Sequence, residues 1–165
     1  MEEPLEIRVS WAESGERRVH SIAITMRTPG NDFDLVAGFL HSEGVLSSAS
    51  DLLELSYCQG PEEQEYNVVE ARLAPGVSFD VELLQRNVFT TSSCGVCGKA
   101  SLEAVEAAGC EMLPYGLTVG ISLITELPDR LLERQAVFER TGGLHAAGLF
   151  DASGERHVVM EDVGR

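Results

Sequence analysis

Positive charge is scarce in this sequence. Twelve lysines and arginines stand against 27 aspartates and glutamates, a formal net charge of −15, and Lys99 is the only lysine. A surface this acidic repels phosphate backbones, so general nucleic-acid binding is not expected. Any subsite for an anionic ligand has to be local. Long hydrophobic runs are also missing. None approaches the roughly 18 apolar residues that a membrane-spanning helix needs, so no membrane association is expected. The opening, MEEPLEIRVSW, has neither the basic start nor the apolar stretch of a secretory leader, which leaves the cytoplasm as the expected compartment. Cysteine is sparse as well. Cys58, Cys94, Cys97 and Cys110 are too few and too unevenly placed for a secreted disulfide framework. There is no internal repeat and no low-complexity tract.

What is present is an ordinary globular composition, 44% hydrophobic and 24% charged over 165 residues, enough for one domain or two small ones. Residues 5–11 and 18–27 alternate as two strands around the polar turn AESGE. The turn TPGND offers Asn31 or Asp32 as an N-cap. The following FDLVAGFLHSEG sets Phe33, Val36, Ala37 and Leu40 on one helical face and stops at Gly44. Residues 52–58 and 66–73 read as two more strands. The segment after Lys99 reads as a short helix, with Leu102, Val105 and Ala108 on one face and Gly109 as its stop. TELPDRLLERQAVFERTGG reads as one helix with Pro128 in its first turn and Gly142 or Gly143 closing it. LHAAGLFD and ERHVVMEDV flank ASG as a β-hairpin. The composition shifts near residue 118, and a boundary is expected there.

The chemistry concentrates at CGVCG, residues 94–98. Glycines around the two cysteines keep both sulfurs approachable, and a helix start together with the Lys99 ammonium favours thiolate. Three readings stand side by side. A structural zinc site normally takes four ligands, and no second CxxC or HxxxH is present. A thioredoxin-like redox pair belongs between a strand and a helix, usually after an aromatic residue, whereas Ser92 and Ser93 precede this one. A sulfur carrier needs one exposed nucleophilic cysteine for a persulfide and a second to assist or protect it. Cys58 and Cys110 read as small core or surface residues. TGGLH at 141–145 reads either as a glycine C-cap or as an anion-binding backbone nest. His145, on a presumed apolar strand, reads as structural, and His20 carries no signal. EDVGR at 161–165 fits a site edge or a solvated turn equally well.

These residues resemble a known family. RTPGNDFDLVAGFLHSEGV (27–45), TTSSCGVCGKASLE (90–103), RTGGLHAAGLFD (140–151) and EDVGR (161–165) are similar, in order, to stretches of the FdhD/NarQ family, the formate dehydrogenase accessory sulfurtransferases. The resemblance implies an α+β or α/β fold. A small β-rich N-terminal region carrying the CxxC loop (1–118) precedes the opening helix and two strands of a cytidine-deaminase-like domain (119–165). It implies a sulfurtransferase that accepts persulfide sulfur from a cysteine desulfurase. The sulfur would pass to the molybdenum bis(molybdopterin guanine dinucleotide) cofactor before that cofactor enters formate dehydrogenase. Cys94 would carry the persulfide, with Cys97 as its loop partner. No metal and no tightly bound cofactor are expected. A homodimer is one expected assembly. The alternative is a non-catalytic chaperone for the molybdenum cofactor, with a zinc or redox CxxC.

Members of that family continue past EDVGR for about another hundred residues. The chain is therefore expected to be a truncated piece, with Leu144, Leu149, Val158, Val159 and Met160 on an uncovered apolar face.

Overall fold

The computed structural model describes residues 2–58, 66–77 and 116–164. Strands β1 (Glu3–Glu13) and β2 (Glu16–Arg27) form a long hairpin, closed at Ser14 and Gly15, which both take positive φ. Helix α1 (Asp32–Ser42) follows, then a single 3₁₀ turn (Ala49–Asp51) and strands β3 (Leu52–Tyr57) and β4 (Val68–Leu73). The four strands make one mixed sheet in the order β2-β1-β4-β3. Its two hairpins are antiparallel, and they join through a parallel pairing of β1 with β4, Glu6 opposite Val68. The order has a simple cause. Chain reversal after β2 is carried out by α1, which crosses the sheet and delivers β3 to its opposite edge.

One face of this sheet is dry. Leu5, Ile7 and Val9 on β1, Val69, Ala71 and Leu73 on β4, and Val36 and Leu40 on α1 are all buried in one cluster. The period of two on the strands and the spacing of four on the helix put these side chains against each other. A register shift at Ile7/Arg8 brings the successive residues Ile22 and Ala23 both into the core. The opposite face is wet and charged. Arg8 donates to both oxygens of Glu6 at 2.8 and 2.9 Å, Arg72 to Glu54 at 2.6 Å, and Glu70 takes both the Ser10 hydroxyl and Arg17. Phe33, expected on the inner face of α1, is exposed and instead rests on the Tyr57 ring, centroids 5.0 Å apart.

The second part departs more from expectation. The single helix expected from Thr125 is two helices, α2 (Ile121–Leu132) and α3 (Ala136–Thr141). Helix α2 starts earlier, so Pro128 lies inside it rather than in its first turn, and forfeits one backbone hydrogen bond. The break has a cause in the Glu161 carboxylate, which accepts the Val137 and Phe138 amides at 3.2 and 2.9 Å and so starts a new helix there. The hairpin is as expected, β5 (His145–Phe150) with β6 (Arg156–Asp162). Its inner face meets α2 at Gly148, where a side chain would strike Leu131. Of the apolar residues expected to be uncovered, Leu149, Val158 and Met160 are exposed, Val159 is half-buried and Leu144 is buried.

Two isoleucines of the same sheet give a direct test of this layering. Ile7→Ala, at a fully buried position, is expected to lower stability by about 2–5 kcal/mol. Ile24→Ala, at a residue 71% exposed, should stay within about 0.5 kcal/mol of the parent. Denaturant midpoints of the two variants check both values.

Candidate functional site

Cys94, Cys97 and Lys99 lie outside the described residues, as does Cys110. The short helix expected after Lys99, with Leu102, Val105, Ala108 and Gly109, also lies outside them, whereas 27–45 and 140–151 are described in full and 161–165 as far as Gly164. Arg27 closes β2 in the core-facing phase of that strand and is 3% exposed. A guanidinium placed there needs an anion, and Asp32, the first residue of α1, supplies it at 2.8 Å with its side chain fully buried. Asp32 is therefore turned inward. Asn31 holds the N-cap position without a side-chain cap bond.

The rest of the cluster comes from elsewhere in the sheet. The Tyr57 hydroxyl donates to the same Asp32 oxygen at 2.8 Å, while Arg27 also donates to the Tyr66 carbonyl at 3.0 Å and to Glu3 at 3.2 Å. Tyr66 holds positive φ and sets its ring edge-on to Tyr57 at 5.2 Å. Burial, and then the bond to Asp32, push the Tyr57 phenol up to about 12. Asp32 Oδ2 is thus spent on Arg27 and Tyr57, while Oδ1 is buried without a partner, and the group ties the start of α1 to the ends of β2 and β3. Sequence reading did not single out Arg27, Tyr57 or Tyr66. The available signal was an arginine in the apolar phase of an alternating strand.

EDVGR is described as far as Gly164, and its two carboxylates are engaged within the fold. Asp162 Oδ1 accepts the Thr28 amide at 3.1 Å and the Gly164 amide at 2.7 Å, and the Val163 amide reaches the Thr28 hydroxyl at 3.3 Å. Gly164 lies so close that a β-carbon would sit 2.4 Å from the Met26 carbonyl oxygen. Neighbouring side chains on a strand point to opposite faces, so Glu161 serves α3 while Asp162 serves the turn before α1. At TGGLH the C-cap reading holds, since Gly142 is left-handed and its amide bonds to the Phe138 carbonyl at 2.7 Å. His145 begins β5 and is exposed rather than inward-facing.

Cys58 is a free, half-buried cysteine just past β3. Burial pushes its thiol up, and Glu70 adds to that more than Arg8 offsets it. It is poorly suited to be a thiolate nucleophile. Among the described residues no group of three histidine, cysteine, aspartate or glutamate side chains is placed to hold a metal. No described helix is long and apolar enough to cross a membrane.

The raised Tyr57 phenol carries a pH signature. Its folded value of about 12 exceeds the ordinary 10, so its contribution to stability is complete below pH 10 and is lost as pH rises towards 12. Tyr57→Phe removes that dependence and also one hydrogen bond, a loss of about 1 kcal/mol near neutral pH. Denaturant midpoints of parent and variant should therefore converge as pH climbs through that window.

Comparison with known proteins places this arrangement. Over its full length the chain is similar to two curated proteins named sulfur carrier protein FdhD. The one from Streptomyces coelicolor is 51% identical over 99% of this chain and 57% of its own length. The one from Mycobacterium tuberculosis is 46% identical over 100% of this chain and 59% of its own. The chain thus spans a little over half of these relatives. A crystal structure of a candidate formate dehydrogenase accessory protein from Desulfotalea psychrophila shares the fold, with a TM-score of 0.61 at 19% identity over 100% of this chain and 53% of that one. The model of the FdhD/NarQ family matches residues 1–165, a span that takes in the Arg27–Asp32 turn, CGVCG and the Asp162 junction alike, and the chain belongs to that family.

Proposed function

We propose that this chain belongs to a sulfur carrier that accepts persulfide sulfur at Cys94 and passes it to the molybdenum bis(molybdopterin guanine dinucleotide) cofactor destined for formate dehydrogenase. One observation carries the reading: CGVCG followed by Lys99 lies in a chain matched from end to end by the FdhD/NarQ family. The names of the relatives support sulfur carriage in general. The chemistry of the segment supports a nucleophilic cysteine.

In the proposed step the Cys94 thiolate attacks the terminal sulfur of a persulfide on a cysteine desulfurase. A new sulfur–sulfur bond forms at Cys94, the donor's sulfur–sulfur bond breaks, and the desulfurase thiolate leaves. Cys97 assists or protects the product. The Lys99 ammonium favours the thiolate in an otherwise acidic protein. The cofactor is cargo here, not a resident group. The proposal places this work in the cytoplasm and reads residues 119–165 as the start of a cytidine-deaminase-like domain. A homodimer is part of the same reading.

Sulfur loading separates the roles. Incubated with a desulfurase and cysteine, the parent should gain one sulfur atom by intact-mass spectrometry. Cys94→Ala should gain none, while Cys97→Ala and Cys58→Ser should still load. Loading of Cys94→Ala would overturn the assignment. Retained binding of the cofactor without any loading of the parent would favour the non-catalytic chaperone.

Lys99 has its own test. Lys99→Glu should slow iodoacetamide alkylation of the Cys94–Cys97 pair at neutral pH by about tenfold, the effect of a thiol pKa raised by about one unit. The pH–rate profile would shift to higher pH by the same amount.

A further inference from the structure

The hydrophobic core stops where the sheet stops. Every member of its buried cluster lies between Leu5 and Leu73, and Leu144, the one buried hydrophobic among the later described residues, is not part of it. Among the described residues, the helix–ribbon unit (116–164) therefore shares no apolar core with the sheet unit. Among the described residues, hydrogen bonds at the Thr28 turn and the packing of Gly164 join them. Asp162 Oδ1 takes the Thr28 amide, the Val163 amide reaches the Thr28 hydroxyl, and Gly164 lies flat against the Met26 carbonyl and Leu35.

We propose that Asp162 is the pin of a hinge, and that the helix–ribbon unit undocks from the intact sheet by releasing the Thr28 turn. Three observations support this. Units joined without a shared apolar interface move relative to each other by default. The docked state leaves Asp162 Oδ2 buried without a hydrogen-bond partner, a desolvation cost that undocking removes. The bonds that hold the sheet end together, from Arg27 to Asp32, Glu3 and the Tyr66 carbonyl, all lie within the sheet unit and survive release. Glu161 likewise keeps its hold on α3, because both partners lie in the helix–ribbon unit. The hinge does not depend on the sulfur-carrier reading.

Residue-resolved amide hydrogen exchange on the whole chain tests the hinge. In the parent, the Thr28 and Val163 amides, whose bonds cross the joint, should exchange at one shared rate, well above that of Val9 and Val69 in the central strands. Asp162→Ala and Gly164→Ala should each speed exchange at Thr28 by about tenfold while leaving Val9 and Val69 unchanged. The Gly164 variant acts by placing a β-carbon against the Met26 carbonyl. Asp162→Asn, which keeps an acceptor at Oδ1, should hold Thr28 near the parent rate. Thr28 protected as strongly as Val9 in the parent would overturn the proposal. So would Thr28 exchange within about twofold of the parent in both disruptive variants. Loss of protection at Val9 and Val69 together with Thr28, including outright unfolding of either variant, would show one cooperative unit and no hinge.

Discussion

A single buried carboxylate holds one end of the sheet together. Arg27 ends β2, Tyr57 ends β3, Glu3 begins β1 and the Tyr66 carbonyl lies just before β4, so all four strands send a group to the Arg27–Asp32 pair. β2 and β3 are the two outer strands, and no ladder hydrogen bond links them. The Asp32 oxygen does, through Arg27 on one side and Tyr57 on the other. Breaking such a pair from one side leaves an uncompensated charge in a dry place, typically a loss of about 3–5 kcal/mol. An apolar replacement of both partners would pack, but it would lose the directional bonds that fix where α1 starts.

The two halves of the chain are organised on different principles. In the sheet unit, apolar burial decides the arrangement and the charged face is largely solvent-tolerant. In the helix–ribbon unit, individual polar contacts decide it. Glu161 sets where α3 begins, Asp162 sets the joint with the sheet, and Arg130 reaches the Gly154 carbonyl at 2.9 Å to hold the ribbon turn against α2. The successive carboxylates Glu161 and Asp162 carry much of this.

Much of the fold was legible in the sequence. Alternation located all six described strands to within a few residues, and the TPGND turn with Gly44 bounded α1. Strand order was not legible, because nothing local says that β1 pairs in parallel with β4. That pairing follows from the path of α1 across the sheet. The split between α2 and α3 was hidden for a related reason, since it depends on Glu161, which arrives from β6. Pro128 misled because its first-turn preference is a local rule that tertiary packing overrode. Phe33 had the right spacing for the core but found an aromatic partner at the surface. Of the candidate site, the CxxC motif was readable from residue types alone, and its thiolate chemistry belongs to the proposed function. The choice of Cys94 over Cys97 came from the family resemblance, and both lie outside the described residues.

The parallel pairing of β1 with β4 also sets an order of events at the ribosome. Glu6 waits for Val68, a gap of about sixty residues that synthesis at roughly 5–20 residues per second takes several seconds to cross. For most of that interval, once Arg27 has been added, the β1–β2 hairpin has been made, yet Leu5, Ile7 and Val9 lack β4 beside them and the full layer beneath them. A pairing so distant along the chain is also slow to find once both strands exist. The interval during which a holding chaperone is most useful to the nascent chain is therefore fixed by topology. It opens with the first hairpin and closes only when β4 has been made and docked beside β1.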